Sequence, residues 1–181
     1  MRRNGNDIHL GPSEYYWGTS PERILTVLGS CISITVWVPS KKCGGMCHFV
    51  ISRDDAGAPR TPDPKYCEDA IAALLSRIEA EGVSPSQCEV KMTGGAEMFP
   101  SRGTSVGEKN TCCAEKYLRE AGFSIRARHT GGKNSRYIIF ELETGDLWVR
   151  TRAGVLIPEN GIDAEPKPTA ALPGCGGGAN G

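Results

Sequence analysis

Alternating apolar and polar positions predict a β-hairpin in the first third of the chain. Residues 31–38 read Cys-Ile-Ser-Ile-Thr-Val-Trp-Val, and residues 46–51 form a second apolar run. The turn-forming residues 39–42 lie between them, followed by two glycines. Apolar runs joined by a turn are typical of antiparallel strands. We therefore predict that the two runs pair, with a short strand over residues 24–28 leading into the first.

Two helices are predicted from apolar residues at helical spacing. In residues 65–81 these residues recur along one face, and Gly82 supplies a natural stop. The second helix spans about 107–121 and ends at Gly122. The apolar face of the first helix consists of Ala70, Ile71, Leu74, Leu75 and Ile78. We expect both helices to cover a sheet.

The remaining apolar runs predict further strands. These runs lie at about 88–92, 123–129, 136–143 and 146–152. Residues 1–13 show no clear period, and residues 52–64 read as a polar loop with several prolines. The sequence therefore predicts an α+β fold, in which a mixed β-sheet packs against two main helices within a single domain.

The end of the chain differs in composition from the rest. From Pro158 onward it is dominated by proline, alanine and glycine. A segment with so few large apolar residues cannot offset the entropy lost on ordering. We therefore predict a folded domain over residues 1–157 and a disordered tail over residues 158–181.

Charge and hydropathy exclude several kinds of partner. Lys plus Arg and Asp plus Glu both number 21, so no net charge attracts nucleic acid or an anionic membrane. No run approaches the roughly 20 apolar residues that cross a bilayer, and no signal-peptide core follows residues 1–7. We expect a cytoplasmic protein without membrane insertion that binds another protein. Its eight cysteines are expected to be reduced, without structural disulfides.

Cys31 and His48 are the candidate catalytic residues, because the predicted hairpin brings one strand beside the other. A thiol next to an imidazole is suited to nucleophilic catalysis. The turn formed by Gly29 and Ser30 could present N–H groups that favour a thiolate and bind an oxyanion. The alternative for each is a core position, since cysteine is often buried and a lone histidine is more often structural than catalytic.

Several segments, in order, resemble the sequence motifs of the CheD family, the chemoreceptor glutamine deamidases. The first two are Leu-Gly-Ser-Cys at 28–31 and Gly-Gly-Met-Cys-His at 44–48. The others, at 91–99, 106–110 and 128–136, resemble the family's Gly-Gly-Ala segment, its Ile-Gly-x-x-Asn segment and a run typical of bacterial members. Together the motifs cover most of the chain between about residues 24 and 151.

The resemblance implies a cytoplasmic enzyme with a CheD-like layered fold. Such an enzyme converts glutamine side chains of methyl-accepting chemotaxis receptors to glutamate through a cysteine nucleophile, without a metal or organic cofactor. The resemblance also implies that some members bind a chemotaxis phosphatase or hydrolyse receptor methyl esters. Two alternatives stay open at this stage: a non-catalytic adaptor that binds receptor or phosphatase, and a cysteine protease.

The resemblance further implies a threonine or serine a few residues before the cysteine, hydrogen-bonded to the histidine. Thr26 is the candidate in this chain. Some relatives place the hydroxyl one position earlier, where this chain has Leu25. The alternative for Thr26 is a strand threonine that is present for its β-propensity.

Other candidate site residues line the predicted substrate cleft, or alternatively only form turns. They are Ser30, Gly94, Gly95, Thr130 and Gly131. A zinc site at Cys43, Cys47 and His48 is not expected, because the usual paired Cys-x-x-Cys spacing is absent. The basic residues near 126–136 read as a solvated or partner-facing loop, since no aromatic platform accompanies them.

Overall fold

The computed structural model describes residues 1–53, 61–99, 103–151 and 157–158. It contains helices α1 (Cys67–Ala80) and α2 (Val106–Glu120). The strands are β1 (Arg2–Asn4), β2 (Asp7–His9), β3 (Glu14–Thr19), β4 (Arg23–Leu28), β5 (Ile32–Val38), β6 (Cys43–Phe49), β7 (Glu89–Gly94), β8 (Ile125–Thr130), β9 (Arg136–Glu141), β10 (Leu147–Thr151) and β11 (Ile157–Pro158).

The strands are divided between two mixed sheets. The first has five strands in the order β3-β6-β5-β7-β8, and only β7 and β8 pair in parallel. The second has six strands in the order β1-β2-β4-β9-β10-β11, and only β2 and β4 pair in parallel. The turn after β4 therefore carries the chain from the six-stranded sheet to the five-stranded sheet.

The molecule has three layers because β5 and β6 are buried on both faces. On one face of the five-stranded sheet, Ile34 and Phe49 belong to a core cluster that includes Leu74 of α1 and Leu118 of α2. Alternate residues of the same strands point the other way. There Met46 belongs to a second cluster, whose residues from the six-stranded sheet include Ile24, Leu28, Ile138 and Phe140.

The predicted single-domain α+β class with two main helices is confirmed. The predicted hairpin corresponds to β5 and β6, although β6 begins earlier, at Cys43. The strands β1, β2 and β3 were not predicted, and they extend both sheets at one edge. Residues 54–60 of the predicted polar loop, and the predicted tail apart from Pro158, lie outside the described residues.

The expectation of reduced cysteines is wrong at one position. Cys112, a half-buried residue of α2, is disulfide-bonded. The other cysteines that the structure describes are free: Cys31, Cys43, Cys47, Cys67, Cys88 and Cys113. Within the described ranges, neither helix has the length and apolar character needed to cross a membrane.

Candidate active site

Cys31 lies in the turn that joins the two sheets, immediately before β5. Three successive carbonyl groups of this turn accept hydrogen bonds from the protein interior. The backbone N–H of Ala96 donates to the Gly29 carbonyl at 2.9 Å, and that of Gly95 donates to the Cys31 carbonyl at 2.8 Å. Between them, the Asn110 side-chain amide donates to the Ser30 carbonyl at 3.1 Å. The turn is therefore fixed along its whole length.

The fixed carbonyls determine where the N–H groups of the turn point. In a trans peptide, the C=O of one residue and the N–H of the next point in opposite directions. The N–H groups of Ser30 and Cys31 therefore point away from the residues that hold the turn. Among the described residues, neither N–H group has a backbone hydrogen-bond partner. The Ser30 N–H, and the Cys31 N–H that also interacts with its own thiol, therefore lie on the side of the turn where a ligand would bind.

His48 and Cys31 share one face of the five-stranded sheet. Ser33 is the cross-strand partner of His48, and Ile32 is the partner of Phe49. Because side chains alternate along a strand, Cys31 and Ser33 point to the same face as His48, toward the six-stranded sheet. Cys31 is half-buried against the core cluster between the sheets, and His48 is only 2% exposed. The thiol is therefore diagonal to the imidazole across the hairpin.

Thr26 approaches His48 from the opposite sheet. Its Oγ1 lies 2.8 Å from His48 Nδ1 and 2.9 Å from the backbone carbonyl of Leu10. The carbonyl can only accept, so the single hydroxyl proton of Thr26 goes to Leu10, and Oγ1 accepts from Nδ1–H. This hydrogen bonding fixes the tautomer of His48. Nε2 therefore carries the lone pair, and it is buried without a partner in the described part of the chain.

Burial favours the neutral forms of both candidate catalytic groups. It lowers the pKa of His48 to about 4, while the carboxylate of Glu14, on the strand paired with β6, opposes this shift. Burial also raises the pKa of the Cys31 thiol, and a hydrogen bond from its own N–H partly offsets that effect. The expectation that the turn would favour a thiolate is therefore wrong for the free protein, because desolvation outweighs the N–H group.

The glycine-containing segments meet beside Cys31. Gly94 has a φ of 121°, and a Cβ there would lie 2.1 Å from the Cys31 carbonyl oxygen, so a larger residue cannot fit. Thr130 pairs with Gly94, and the N–H of Gly131 donates to the Gly94 carbonyl at 3.0 Å. Ser30, Gly94 and Gly95 therefore lie in or against the turn that contains Cys31, whereas Thr130 and Gly131 lie one strand further away, beside Gly94.

Arg136 is not part of a solvated loop, contrary to the sequence interpretation. It is 4% exposed and lies at the start of β9, opposite Leu28. Its guanidinium donates to His129 Nδ1 at 2.8 Å, to the Gly94 carbonyl at 3.0 Å and to the Gly131 carbonyl. Arg136 therefore ties the two glycine-containing segments together.

Asn110 was also missed as a site residue. Asn110, Ala114 and Leu118 recur at helical spacing and are all buried. A polar residue in line with an apolar face is the sequence signal that could have identified it.

The residues considered for zinc, Cys43, Cys47 and His48, do not all lie on one face of β6. Cys47 and His48 are adjacent on β6, so their side chains point to opposite faces of the sheet. Cys47 belongs to the core cluster under the helices, whereas His48 faces the other sheet. Among the described residues, no group of three or more His, Cys, Asp or Glu side chains could hold a metal ion.

Fold and site define an α+β protein in which a thiol and an oriented neutral imidazole lie between two sheets. A sequence model of the family described as CheD chemotactic sensory transduction matches residues 52–151, a range that begins after His48. Curated relatives extend the similarity to about four-fifths of the chain. The chain belongs to the CheD family.

Three of these relatives have names that state an activity. The "probable chemoreceptor glutamine deamidase CheD 2" of Albidiferax ferrireducens is 36% identical over 147 residues, which are 78% of this chain and 85% of the relative. The "probable chemoreceptor glutamine deamidase CheD" of Pseudomonas syringae pv. syringae is 36% identical over 152 residues, covering 80% and 84%. The "chemoreceptor glutamine deamidase CheD" of Thermotoga maritima is 33% identical over 146 residues, covering 80% and 92%.

Proposed function

We propose that this protein is a cysteine-dependent deamidase that converts glutamine side chains of methyl-accepting chemotaxis receptors to glutamate. The names of the three relatives support the substrate and the reaction. The observation that carries the mechanism is the Thr26–His48 hydrogen bond, which leaves Nε2 of a neutral imidazole free to accept a proton. In this proposal Cys31 is the nucleophile, His48 the general base and Thr26 the residue that orients the base.

The first half of the reaction forms a thioester. Cys31 transfers its proton to His48 Nε2 as the sulfur attacks the carboxamide carbon of a glutamine side chain. Burial favours the neutral form of both groups before the reaction, so His48 can accept the thiol proton within the catalytic cycle. The imidazolium then protonates the amide nitrogen, the C–N bond breaks, and ammonia leaves.

The second half returns the enzyme to its starting state. His48 accepts a proton from a water molecule, whose oxygen attacks the thioester carbon. The C–S bond breaks, the sulfur regains the proton from His48, and the product leaves as glutamic acid, whose carboxyl group then gives its proton to the solvent. The proton balance closes on His48 in both halves, so the cycle needs no metal or organic cofactor.

The N–H groups of Ser30 and Cys31 stabilise the oxyanion in both halves of the reaction. Their direction follows from the carbonyls that Gly95, Ala96 and Asn110 hold. Donors fixed before the reaction act most strongly in a water-poor site. Gly94, Gly95, Thr130 and Gly131 line the approach to these donors, where small residues let a receptor segment come close.

Three further parts of the proposal rest on the family resemblance. The protein acts in the cytoplasm on the methylatable region of the receptors. It binds a chemotaxis phosphatase as a second partner. It also hydrolyses receptor methyl esters as a side activity, because an ester enters the same cycle with methanol as the leaving group.

One experiment separates the deamidase from the adaptor and the protease. The full-length protein is incubated with receptor cytoplasmic fragments, and each glutamine is followed by mass spectrometry. Conversion of selected glutamines to glutamate, with release of ammonia, is the expected result. Binding without conversion supports the adaptor, and cleavage of the receptor backbone supports the protease. The Cys31→Ser variant, which is close in shape to the wild type and lacks the thiol, is the matched control.

A further inference from the structure

Asn110 connects the turn before β5 to the end of β6. It lies on α2, is completely buried, and donates from Nδ2 to the carbonyls of Ser30 at 3.1 Å and Val50 at 2.8 Å. The β5–β6 ladder ends at the pair Ile32 and Phe49, so these two carbonyls lie just beyond the last ladder pair. The amide of Asn110 thus continues the connection between the strands where their own hydrogen bonds stop.

We propose that Asn110 is the positioning residue that sets Cys31 relative to His48, an inference that rests on the proposed function. Ser30 directly precedes the nucleophile, and Val50 follows the general base by two residues, just beyond the end of β6. One side chain that holds both carbonyls fixes the separation of the two reacting groups. Holding the Ser30 carbonyl also fixes the direction of the Cys31 N–H, because the two belong to one peptide unit.

The start of α2 is itself held firmly against the site. A Cβ on Gly107 would lie 2.3 Å from the carbonyl oxygen of Gly95, so the first helical turn packs directly on the Gly95 turn. Ser105 caps the helix by accepting from the Glu108 N–H at 3.2 Å, and Glu108 accepts from the Ser105 N–H at 2.8 Å. Asn110 therefore projects from a rigid support.

The chemistry of the amide argues against a role in packing alone. Only Nδ2 can face two carbonyl oxygens, since the opposite orientation would place Oδ1 against two acceptors. In this orientation Oδ1 is buried without a partner among the described residues. An unpaired buried acceptor is destabilising. A position that required only volume would be better filled by an apolar side chain, so the two donors are the property this residue supplies.

The test compares Asn110→Ala and Asn110→Ser with the full-length wild-type protein. On a receptor fragment, kcat is expected to fall by about 100-fold, the loss that a misplaced catalytic group produces. KM should change by less than about threefold, because substrate binding does not require the thiol to be aligned. Labelling of Cys31 by iodoacetamide, which needs no receptor, should slow by about tenfold as the thiol loses its base.

Ala114→Gly is the matched control, because Ala114 is buried one turn further along α2 and has no polar contact with the site. It should lower the melting temperature while keeping kcat within about threefold of wild type. An equal loss of kcat in this control overturns the proposal, since general loosening of α2 would then explain the effect. Folded Asn110 variants with wild-type kcat also overturn it.

Two remaining outcomes are also decisive. If neither Asn110 variant folds, the residue serves the fold and the proposal is overturned. If the wild-type protein does not deamidate the receptor, the proposed function fails. The labelling rates of Cys31 alone then decide whether Asn110 is a positioning residue. Slower labelling of Cys31 in the folded variants then supports the positioning role, and unchanged labelling overturns it.

Discussion

Thr26 and His48 are joined by a hydrogen bond that crosses the interface between the two sheets. Thr26 Oγ1 on β4 lies 2.8 Å from His48 Nδ1 on β6. The same hydroxyl donates to the Leu10 carbonyl, which itself follows β2. The orientation of the imidazole therefore depends on both sheets, and a change in their packing would directly affect the proposed general base.

Thr26→Val should reduce kcat in a protein that still folds but is less stable than the wild type. Valine matches the shape of threonine but cannot accept from Nδ1–H or donate to the Leu10 carbonyl. We expect a loss of about 1–3 kcal/mol in the free energy of unfolding, because two buried polar groups lose their partner. The imidazole also loses its fixed tautomer, so kcat should fall by about tenfold or more. Chemical denaturation and ammonia release measure the two effects.

Thr26→Ser is the control for this prediction, since it keeps the hydroxyl and removes only a methyl group. It should retain most of the activity. A silent Thr26→Val variant would show that another group orients His48.

Cys31→Ser and His48→Ala should each abolish deamidation. The serine hydroxyl is a poor nucleophile beside a base whose pKa is about 4, and alanine removes the base altogether. Cys31→Ser changes little core and should keep the wild-type melting temperature. His48→Ala leaves a cavity between the sheets and should lower it. Turnover that persists in a folded Cys31→Ser protein contradicts the mechanism.

The hairpin could be predicted from the sequence because residues 31–38 alternate regularly and a second apolar run follows a clear turn. The first three strands could not, because Asp7–His9 is only three residues long and Glu14–Thr19 has no clean alternation. Without these three strands, the sequence does not indicate that the strands divide into two sheets. The layered arrangement therefore depends on short segments whose pairing is decided by tertiary contacts.

The choice between Thr26 and Leu25 shows why the site was only partly predictable. Ile24, Leu25 and Leu28 are all apolar, so the sequence does not reveal which face of β4 is inward. In the structure Ile24 and Leu28 join the core between the sheets, and Thr26 shares their face by alternation. The position of a hydroxyl relative to His48 thus follows from the packing of two sheets, which no local pattern records.

Arg136→Lys should loosen the glycine-containing segments beside Cys31. The arginine donates to His129, Gly94 and Gly131 in a fork that one ammonium group cannot reproduce. We expect the free energy of unfolding to fall by about 1–3 kcal/mol, since buried acceptors lose a charged donor. Denaturant unfolding measures this loss. The control is Arg126→Lys at an exposed position, which should leave the free energy of unfolding unchanged. If Arg136→Lys also leaves it unchanged, the role of the arginine fork is contradicted.

The free energy of unfolding should decrease as the pH falls from 6.5 to 4. The folded pKa of His48 is about 4, whereas its reference value is 6.5. Between these values the unfolded chain binds a proton that the folded protein does not, so protonation favours unfolding. The contribution is fully present above pH 6.5 and amounts to about 3 kcal/mol. Denaturant unfolding at a series of pH values measures it.

His48→Gln isolates this contribution, because carboxylates also titrate in the same range. Glutamine keeps a polar side chain of similar size and has no charge to gain. The difference in the free energy of unfolding between the wild type and the variant should become smaller as the pH falls toward 4. A difference that stays constant would mean that His48 is not buried as a neutral group.

Labelling by iodoacetamide tests whether Cys31 and His48 act as a pair. Cys88 is the internal comparison, because it is also half-buried and burial also raises its pKa, whereas no imidazole faces it among the described residues. At neutral pH we expect Cys31 to react about tenfold faster than Cys88, since His48 can accept the thiol proton. The fully buried Cys67 should react slowest.

In His48→Ala the rate at Cys31 should fall to that of Cys88. If it does not fall, or if Cys31 is no faster than Cys88 in wild type, the two residues do not form a pair, and the adaptor becomes the better account.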